Sequence, residues 1–154
     1  MHQKMDLQNY LTTQEKGLKY DGSCIFIKND LKRLKSWTSL AKDIYGCYKI
    51  VNGAVKEIGF PPTVNSLGGL ITEIKCSHGT LLCYKDRFPI TNPCLTPSEG
   101  GRIIFAIIKE QRIFIPLLVY AAKEEKGPYK INNKKFFLTK NNLGKIIKEK
   151  IIKI

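Results

Sequence analysis

Histidines, acidic residues and familiar catalytic motifs are scarce in this chain. Only two of its 154 residues are histidines, and Asp and Glu together number 13. The GxSxG elbow, the P-loop, the HExxH zinc motif and a GxGxxG loop in context are absent. Acidic pairs are also scarce in the region predicted below to form a sheet, which argues against a carboxylate dyad of the glycosidase type.

The five cysteines form no pattern typical of a disulfide framework or a zinc site. Their number is odd, no pair has CxxC spacing, and no secretory signal precedes them, so we expect a reducing, cytoplasmic location. Cys76, His78 and Cys83 match no standard zinc spacing and lack a fourth ligand, so we expect no metal and no other cofactor. No apolar segment approaches the length needed to span a bilayer.

Negative charge is outnumbered by positive charge along most of the chain. There are 26 Lys and Arg residues against 13 Asp and Glu, which gives a net charge of +13. Residues 1–22 are balanced, so the positive field belongs to the rest of the chain. This excess favours an anionic partner such as nucleic acid, a membrane surface or an acidic protein. The alternative is a protein that its lysines merely keep soluble.

The most strongly patterned stretch consists of two apolar runs separated by three polar residues. Arg102–Ile108 and Arg112–Tyr120 are rich in Ile, Val, Phe and Tyr, and predict a β-hairpin in the middle of a sheet. Antiparallel partners share an end, so Arg102 at one strand start and Tyr120 at the neighbouring strand end should lie close together. Pro116 removes a ladder donor, which predicts a bulge or a free edge in the second strand.

The remaining segments predict a first strand, helices, two more strands and a terminal helix. Ser23–Lys28 is predicted as the first strand, and helical spacing over about Asp30–Val51 predicts one long helix or two short ones. Leu70–Ser77 and Leu81–Phe88 predict two further strands. Thr139–Ile154 has apolar residues on one face and five lysines around them, which is typical of a basic amphipathic helix.

These segments together predict an α+β fold. We expect a small antiparallel sheet packed against the N-terminal helix or helices, with a C-terminal helix and all helices on one face. The length predicts a single domain over residues 23–154, preceded by an N-terminal appendage over residues 1–22. Ala121–Lys126, which follows the hairpin, is predicted to be solvated. The apolar face of the C-terminal helix should pack on the sheet, and membrane-surface binding is the alternative.

Basic residues and a tyrosine fall at predicted strand positions or strand ends, namely Lys75, Lys85, Arg87, Arg102, Tyr120 and Lys123. Cations on a sheet face can bind RNA phosphates and stabilise the charge that develops when a 2′-hydroxyl attacks the adjacent phosphodiester. Such cleavage needs no metal if one group takes the 2′ proton and another protonates the leaving 5′ oxygen. A tyrosine, or a lysine whose pKa like charges lower, can do either job. The alternative is that these residues lie on the solvent face of a half-exposed sheet.

Four segments have sequences and an order that are similar to those of a known family. Ser98–Phe105 is a glycine-rich loop with an arginine and a strand start, and Arg112–Lys123 is a strand ending in tyrosine and then lysine. Ser66–Leu70 contains a glycine pair, and Leu138–Lys145 begins the terminal helix. In this order they resemble the RelE/ParE superfamily of toxin–antitoxin toxins, particularly the RelE/HigB-type ribosome-dependent mRNA endonucleases.

The chain departs from the family pattern in several places. Two alanines separate Tyr120 from Lys123, one residue more than is usual, and Phe105 stands where the family has tyrosine. Either Lys75 or the pair Lys85 and Arg87 can be aligned with the strand-borne cation of the family. The first 22 residues have no counterpart in the compact members.

The resemblance implies a RelE-like microbial RNase fold and a toxin of a type II toxin–antitoxin system. It would be a metal-independent endoribonuclease that cleaves mRNA on the ribosome and so inhibits translation, with an acidic antitoxin as partner in a hetero-oligomer. The implied catalytic residues are Arg102, Lys85 and Arg87 as cations, and Tyr120 to orient the RNA or transfer a proton. The implied RNA contacts are Lys75, Lys123, Lys126, Lys32 and Arg33. The alternatives are an inactive RNA- or protein-binding module and a gyrase-directed toxin of the ParE kind.

Overall fold

The structure, a computed structural model, describes residues 17–58, 69–125, 127, 129–131 and 133–152. A five-stranded sheet has the order β1-β5-β4-β3-β2, with β1 Lys19–Tyr20, β2 Gly69–Cys76, β3 Gly79–Phe88, β4 Gly101–Ile108 and β5 Ile113–Ala121. A separate hairpin consists of β6 Tyr129–Ile131 and β7 Lys134–Phe136. The helices are α1 Ile25–Arg33, α2 Leu40–Ile58 and α3 Lys140–Ile146, which continues as a π-helical turn over Ile147–Ile151. A short 3-10 helix, Ala122–Glu125, follows β5.

The α+β class is confirmed, but the predicted first strand is wrong. Ile25–Arg33 is helical, and the first strand lies earlier, at Lys19–Tyr20. It pairs in parallel with Ile113–Phe114 of β5, so the sheet is mixed and not antiparallel throughout. A short apolar run cannot be assigned to a strand or a helix by periodicity alone. Here Phe26 and Ile27 pack against different cores on the two faces of the sheet, which a helix at the sheet edge permits.

The β4–β5 hairpin is confirmed, including its register. Arg102 lies directly opposite Tyr120. The register shifts where Ile104 pairs with Leu118 and the next residue pairs with Pro116, so β5 contains a bulge beside the proline. The pairing with β1 ends at Phe114, before the proline is reached. The predicted bulge is therefore present. Pro116 has no backbone N–H group, and it lies beyond the part of β5 that pairs with β1.

Both faces of the sheet are covered, so the prediction of helices on one face is wrong. Every residue of β4 is buried. On one face Ile44 and Val51 of α2 belong to the same core as Ile103. On the other face Leu143 of α3 belongs to a second core with Ile104. The alternative of a solvent-exposed face is therefore wrong for Arg102 and Tyr120, which are buried, whereas Lys75 and Arg87 are exposed. A strand buried on both faces has a continuous apolar run, as β4 does.

Two helices replace the single long helix that the sequence also allowed. Residues 34–39 separate α1 from α2, and α2 continues beyond Val51 to Ile58, so the predicted helix end is wrong. Asn52 lies within the helix, and its side-chain oxygen accepts a hydrogen bond from the Leu18 backbone N–H, at 2.7 Å. Leu18 is buried and precedes β1, so the sheet begins within the segment predicted as an appendage.

The C-terminal helix packs as predicted. Leu143, Ile146 and Ile147 are buried against the sheet, which confirms the use expected for its apolar face. In the part of the chain that is described, no helix combines the length and the apolar character needed to cross a membrane.

Candidate active site

The four residues predicted as catalytic lie at one end of one sheet face. Arg87 of β3 is directly opposite Arg102 of β4, which is directly opposite Tyr120 of β5. Lys85 shares this face because strand side chains alternate with a period of two. Lys75 pairs with Thr80, whose position belongs to the opposite face of β3. The structure thus brings Lys85 and Arg87 to Arg102 and places Lys75 elsewhere.

Arg102 is buried, with 4% of its surface exposed, and all three of its guanidinium nitrogens donate hydrogen bonds. Nη1 donates to the carbonyl oxygens of Pro97 at 2.9 Å and Gly101 at 3.2 Å, and Nη2 donates to that of Ser98 at 3.2 Å. Nε donates to Oε1 of Glu125 at 2.9 Å. The guanidinium therefore holds the loop before β4 against the 3-10 helix after β5.

Glu125 is a carboxylate at this site that the sequence-based prediction missed. Its Oε1 atom also lies 2.9 Å from Nζ of Lys85, and about a quarter of each side chain is exposed, 28% for Lys85 and 27% for Glu125. Partial burial alone would raise the pKa of Glu125, but Lys85 and Arg102 hold it below its usual value. Arg87 is exposed. Two cations therefore contact one carboxylate, and a third, Arg87, lies opposite Arg102 in the sheet.

Tyr120 is fully buried beside this ion pair. Among the described groups, its hydroxyl is the one buried side-chain polar atom without a hydrogen-bond partner. Burial raises the pKa of Tyr120 well above its ordinary value, Glu125 raises it further, and Arg102 offsets only part of the increase. The hydroxyl is therefore protonated at neutral pH and a weak acid, so in this arrangement it can donate a hydrogen bond but cannot act as a base.

The glycine pair before Arg102 is required by close packing. A Cβ atom on Gly100 would lie 2.6 Å from the carbonyl oxygen of Phe88, and one on Gly101 would lie 2.5 Å from the Phe88 ring. Only residues without a side chain allow the loop to approach β3 so closely. Gly101 directly precedes Arg102, so this packing also sets where the arginine enters the sheet.

A second polar cluster, also missed, covers the edge of β5. Asp30 of α1 is buried, and its Oδ2 atom accepts a hydrogen bond from the Val119 backbone N–H at 2.8 Å. Its other oxygen accepts short hydrogen bonds from Tyr129 and Arg33. Burial raises the pKa of Asp30 above its usual value despite these donors. The spacing of Asp30 and Arg33, three residues apart on a helix, is the sequence signal that could have revealed this pair.

Arg33, predicted as an RNA contact, is engaged within the molecule. Its Nε atom donates to Oε2 of Glu124 at 3.0 Å, and its Nη2 atom donates to the carbonyl oxygen of Val119 at 3.0 Å. Glu124 is thus held by Arg33, and Glu125 is held by Arg102 and Lys85. The prediction that the segment after the hairpin is solvated is wrong for these two glutamates.

The remaining predicted RNA contacts are dispersed. Lys32, Lys75 and Lys123 are exposed on three different elements. Lys126 lies outside the described residues, as does Gly68 of the glycine pair in the family-like segment. The hairpin β6–β7 adds an exposed basic surface that the sequence-based prediction did not single out, with Lys130 directly opposite Lys135. Like charges placed opposite each other are unfavourable without an anion nearby.

No protein-family model, curated protein or solved structure matches the chain significantly. The family resemblance therefore rests on the sequence motifs, and the candidate site rests on its own geometry. Within the described ranges, no group of three or more His, Cys, Asp or Glu side chains could hold a metal ion.

Proposed function

We propose that this protein is a type II toxin–antitoxin toxin, an endoribonuclease that cleaves mRNA on the ribosome without a metal. The observation that carries the proposal is the convergence of Lys85, Arg87 and Arg102 at one end of one sheet face, beside Tyr120. Clustered cations supply both phosphate binding and stabilisation of the charge that develops during 2′-hydroxyl attack. The sequence motifs supply the reaction class.

Each residue has a distinct role in this proposal. Lys85 and Arg87 are the accessible cations and contact the scissile phosphate first. Arg102 lies behind them and stabilises the doubly charged transition state. Tyr120 has a raised pKa and is therefore a weak acid, so its role is to orient the RNA as a hydrogen-bond donor, while solvent water takes the 2′ proton and protonates the leaving 5′ oxygen. Glu125 has a lowered pKa and is therefore a weak proton acceptor, so no catalytic step is assigned to it.

A second candidate function is RNA binding without cleavage. It is favoured by the burial of Arg102, whose guanidinium nitrogens are all engaged, and by the burial of the Tyr120 hydroxyl. In that case Arg102 is a structural residue, and the exposed lysines bind the phosphate backbone with the salt dependence usual for polyanions.

The two candidates are separated by a cleavage assay with purified protein in a reconstituted translation reaction. Arg102→Ala is a poor probe, because it would also release the loop that the guanidinium holds. Lys85→Gln and Arg87→Gln remove accessible charges, and Lys75→Gln is the matched control because it removes the same charge from the opposite face. The measurement is the rate at which a labelled mRNA acquires new 5′ ends.

We expect wild type and Lys75→Gln to cleave equally, and Lys85→Gln and Arg87→Gln to cleave about ten- to a hundredfold more slowly, since each change removes a charge-assisted contact. The new ends should carry 5′-hydroxyl groups, because 2′ attack expels the 5′ oxygen. Equal cleavage by all four proteins would show that the site is misplaced. Salt-sensitive RNA binding by wild type with no cleavage would favour the second candidate.

A further inference from the structure

The contacts of Glu125 are unusual for a simple ion pair. A single carboxylate oxygen, Oε1, contacts both Nε of Arg102 and Nζ of Lys85, each at 2.9 Å. Tyr120 lies directly opposite Arg102, and its buried hydroxyl has no hydrogen-bond partner among the described groups. Glu125 raises and Arg102 lowers the pKa of this hydroxyl. The site thus has more donors than this carboxylate uses.

The local charge is also unbalanced. Lys85, Arg87 and Arg102 occupy the same end of the face, and Arg87 is directly opposite Arg102. The neighbouring acid, Glu124, is held by Arg33 and is not the counter-ion here. Asp86 belongs to the opposite face, because it alternates with Lys85 along β3. In the part of the chain that the structure describes, Glu125 is the one acid that forms an ion pair with any of these three cations.

We propose that Lys85, Arg102 and Tyr120 form a binding site for a tetrahedral oxyanion, a phosphate group in the native ligand, and that Glu125 occupies this site as an internal substitute. A tetrahedral anion has enough oxygens to accept from Nε of Arg102, Nζ of Lys85 and the Tyr120 hydroxyl at once. The carboxylate swings out when the anion binds. Identifying that phosphate as part of RNA rests on the proposed function, whereas the anion site itself does not.

Inorganic sulfate is the probe, because its charge is constant over the pH range in which proteins are folded. Binding is measured by titration calorimetry at neutral pH and constant ionic strength, with wild type, Glu125→Gln and Glu124→Gln. The last variant is the matched control, because it changes the adjacent residue of the same 3-10 helix and affects the Arg33 pair instead. A fourth protein combines Glu125→Gln with Lys85→Gln.

Glu125→Gln should bind sulfate about tenfold more tightly than wild type, a difference of about 1.4 kcal/mol, because the competing carboxylate charge is gone. Glu124→Gln should bind as wild type does, and the double variant should lose the gain. Equal sulfate affinity for wild type and a folded Glu125→Gln protein would overturn the proposal.

A measurement on wild type keeps the proposal testable if Glu125→Gln does not fold. The carboxyl pKa values of Glu125 and Glu124 are followed by carbon NMR, with and without saturating sulfate. Sulfate should raise the lowered pKa of Glu125 toward its usual value by separating it from Lys85 and Arg102, and leave Glu124 unchanged. An unchanged Glu125 titration would overturn the proposal. Neither sulfate experiment requires RNA cleavage, so the anion site and the nuclease function can fail separately.

Discussion

Replacing Tyr120 with phenylalanine should stabilise the protein, against the usual effect of removing a buried tyrosine hydroxyl. Tyr120 is fully buried, and its hydroxyl has no hydrogen-bond partner among the described groups. The folded protein therefore bears the desolvation of a hydroxyl without a compensating bond. Phenylalanine keeps the ring and its packing and removes only that unfavourable group.

The expected gain follows from two opposing contributions. Burying a hydroxyl without a partner costs about 1–3 kcal/mol in proteins, and the substitution recovers this. The small cavity left by the removed oxygen atom costs on the order of 0.3 kcal/mol. The free energy of unfolding should thus rise by about 0.7–2.7 kcal/mol, which corresponds to an increase in Tm of about 1–11 °C in a chain of this size.

The assay is urea unfolding at neutral pH, where Tyr120 is protonated, with Tyr129→Phe as the matched control. Tyr129 is also buried, its ring centroid lies 6.3 Å from that of Tyr120, and its hydroxyl donates to Asp30. Because that bond is to a charged acceptor, the control should lose about 1.5–3 kcal/mol. Comparable destabilisation by both substitutions would refute the reasoning, since it would mean that the Tyr120 hydroxyl has a partner.

Two further predictions concern the residues that position the site. Gly101→Ala should lower the free energy of unfolding by about 1–3 kcal/mol, because its Cβ would meet the buried Phe88 ring at 2.5 Å. Gly69→Ala is the control, because a Cβ atom there would meet open space, and it should change the urea midpoint little. Asp30→Ala should cost about 3–5 kcal/mol by leaving Arg33, Tyr129 and the Val119 N–H without their acceptor. Glu124→Gln, which affects a more exposed pair, should cost at most about 1 kcal/mol in the same urea unfolding measurement. Equal losses for Asp30→Ala and Glu124→Gln would contradict the account.

The β4–β5 hairpin, and the end at which Arg102 meets Tyr120, could be predicted from the sequence because local composition determines them. Two apolar runs with a polar break specify the pairing, and the pairing places Arg102 opposite Tyr120. Pro116 likewise indicated the bulge that is observed. These features require knowledge of only a few consecutive residues.

The burial of the site could not be derived in the same way, because it depends on which elements pack on each face. The uninterrupted run of β4 was the available signal, since alternation is expected only when one face is exposed. The role of Glu125 was hidden for another reason. In the sequence, Glu124 and Glu125 belong to a charged stretch that suggests solvation, and only the 3-10 helix directs them to Arg33 and Arg102.

The central claim is that this protein cuts mRNA through the cations at the Arg102 end of its sheet. Primer extension on translated transcripts after induced expression in cells tests it most directly. We predict new 5′ ends within coding regions for wild type and Lys75→Gln, and few or none for a double variant with Lys85→Gln and Arg87→Gln. Intact transcripts with wild type, or the same cuts with the double variant, would contradict the account.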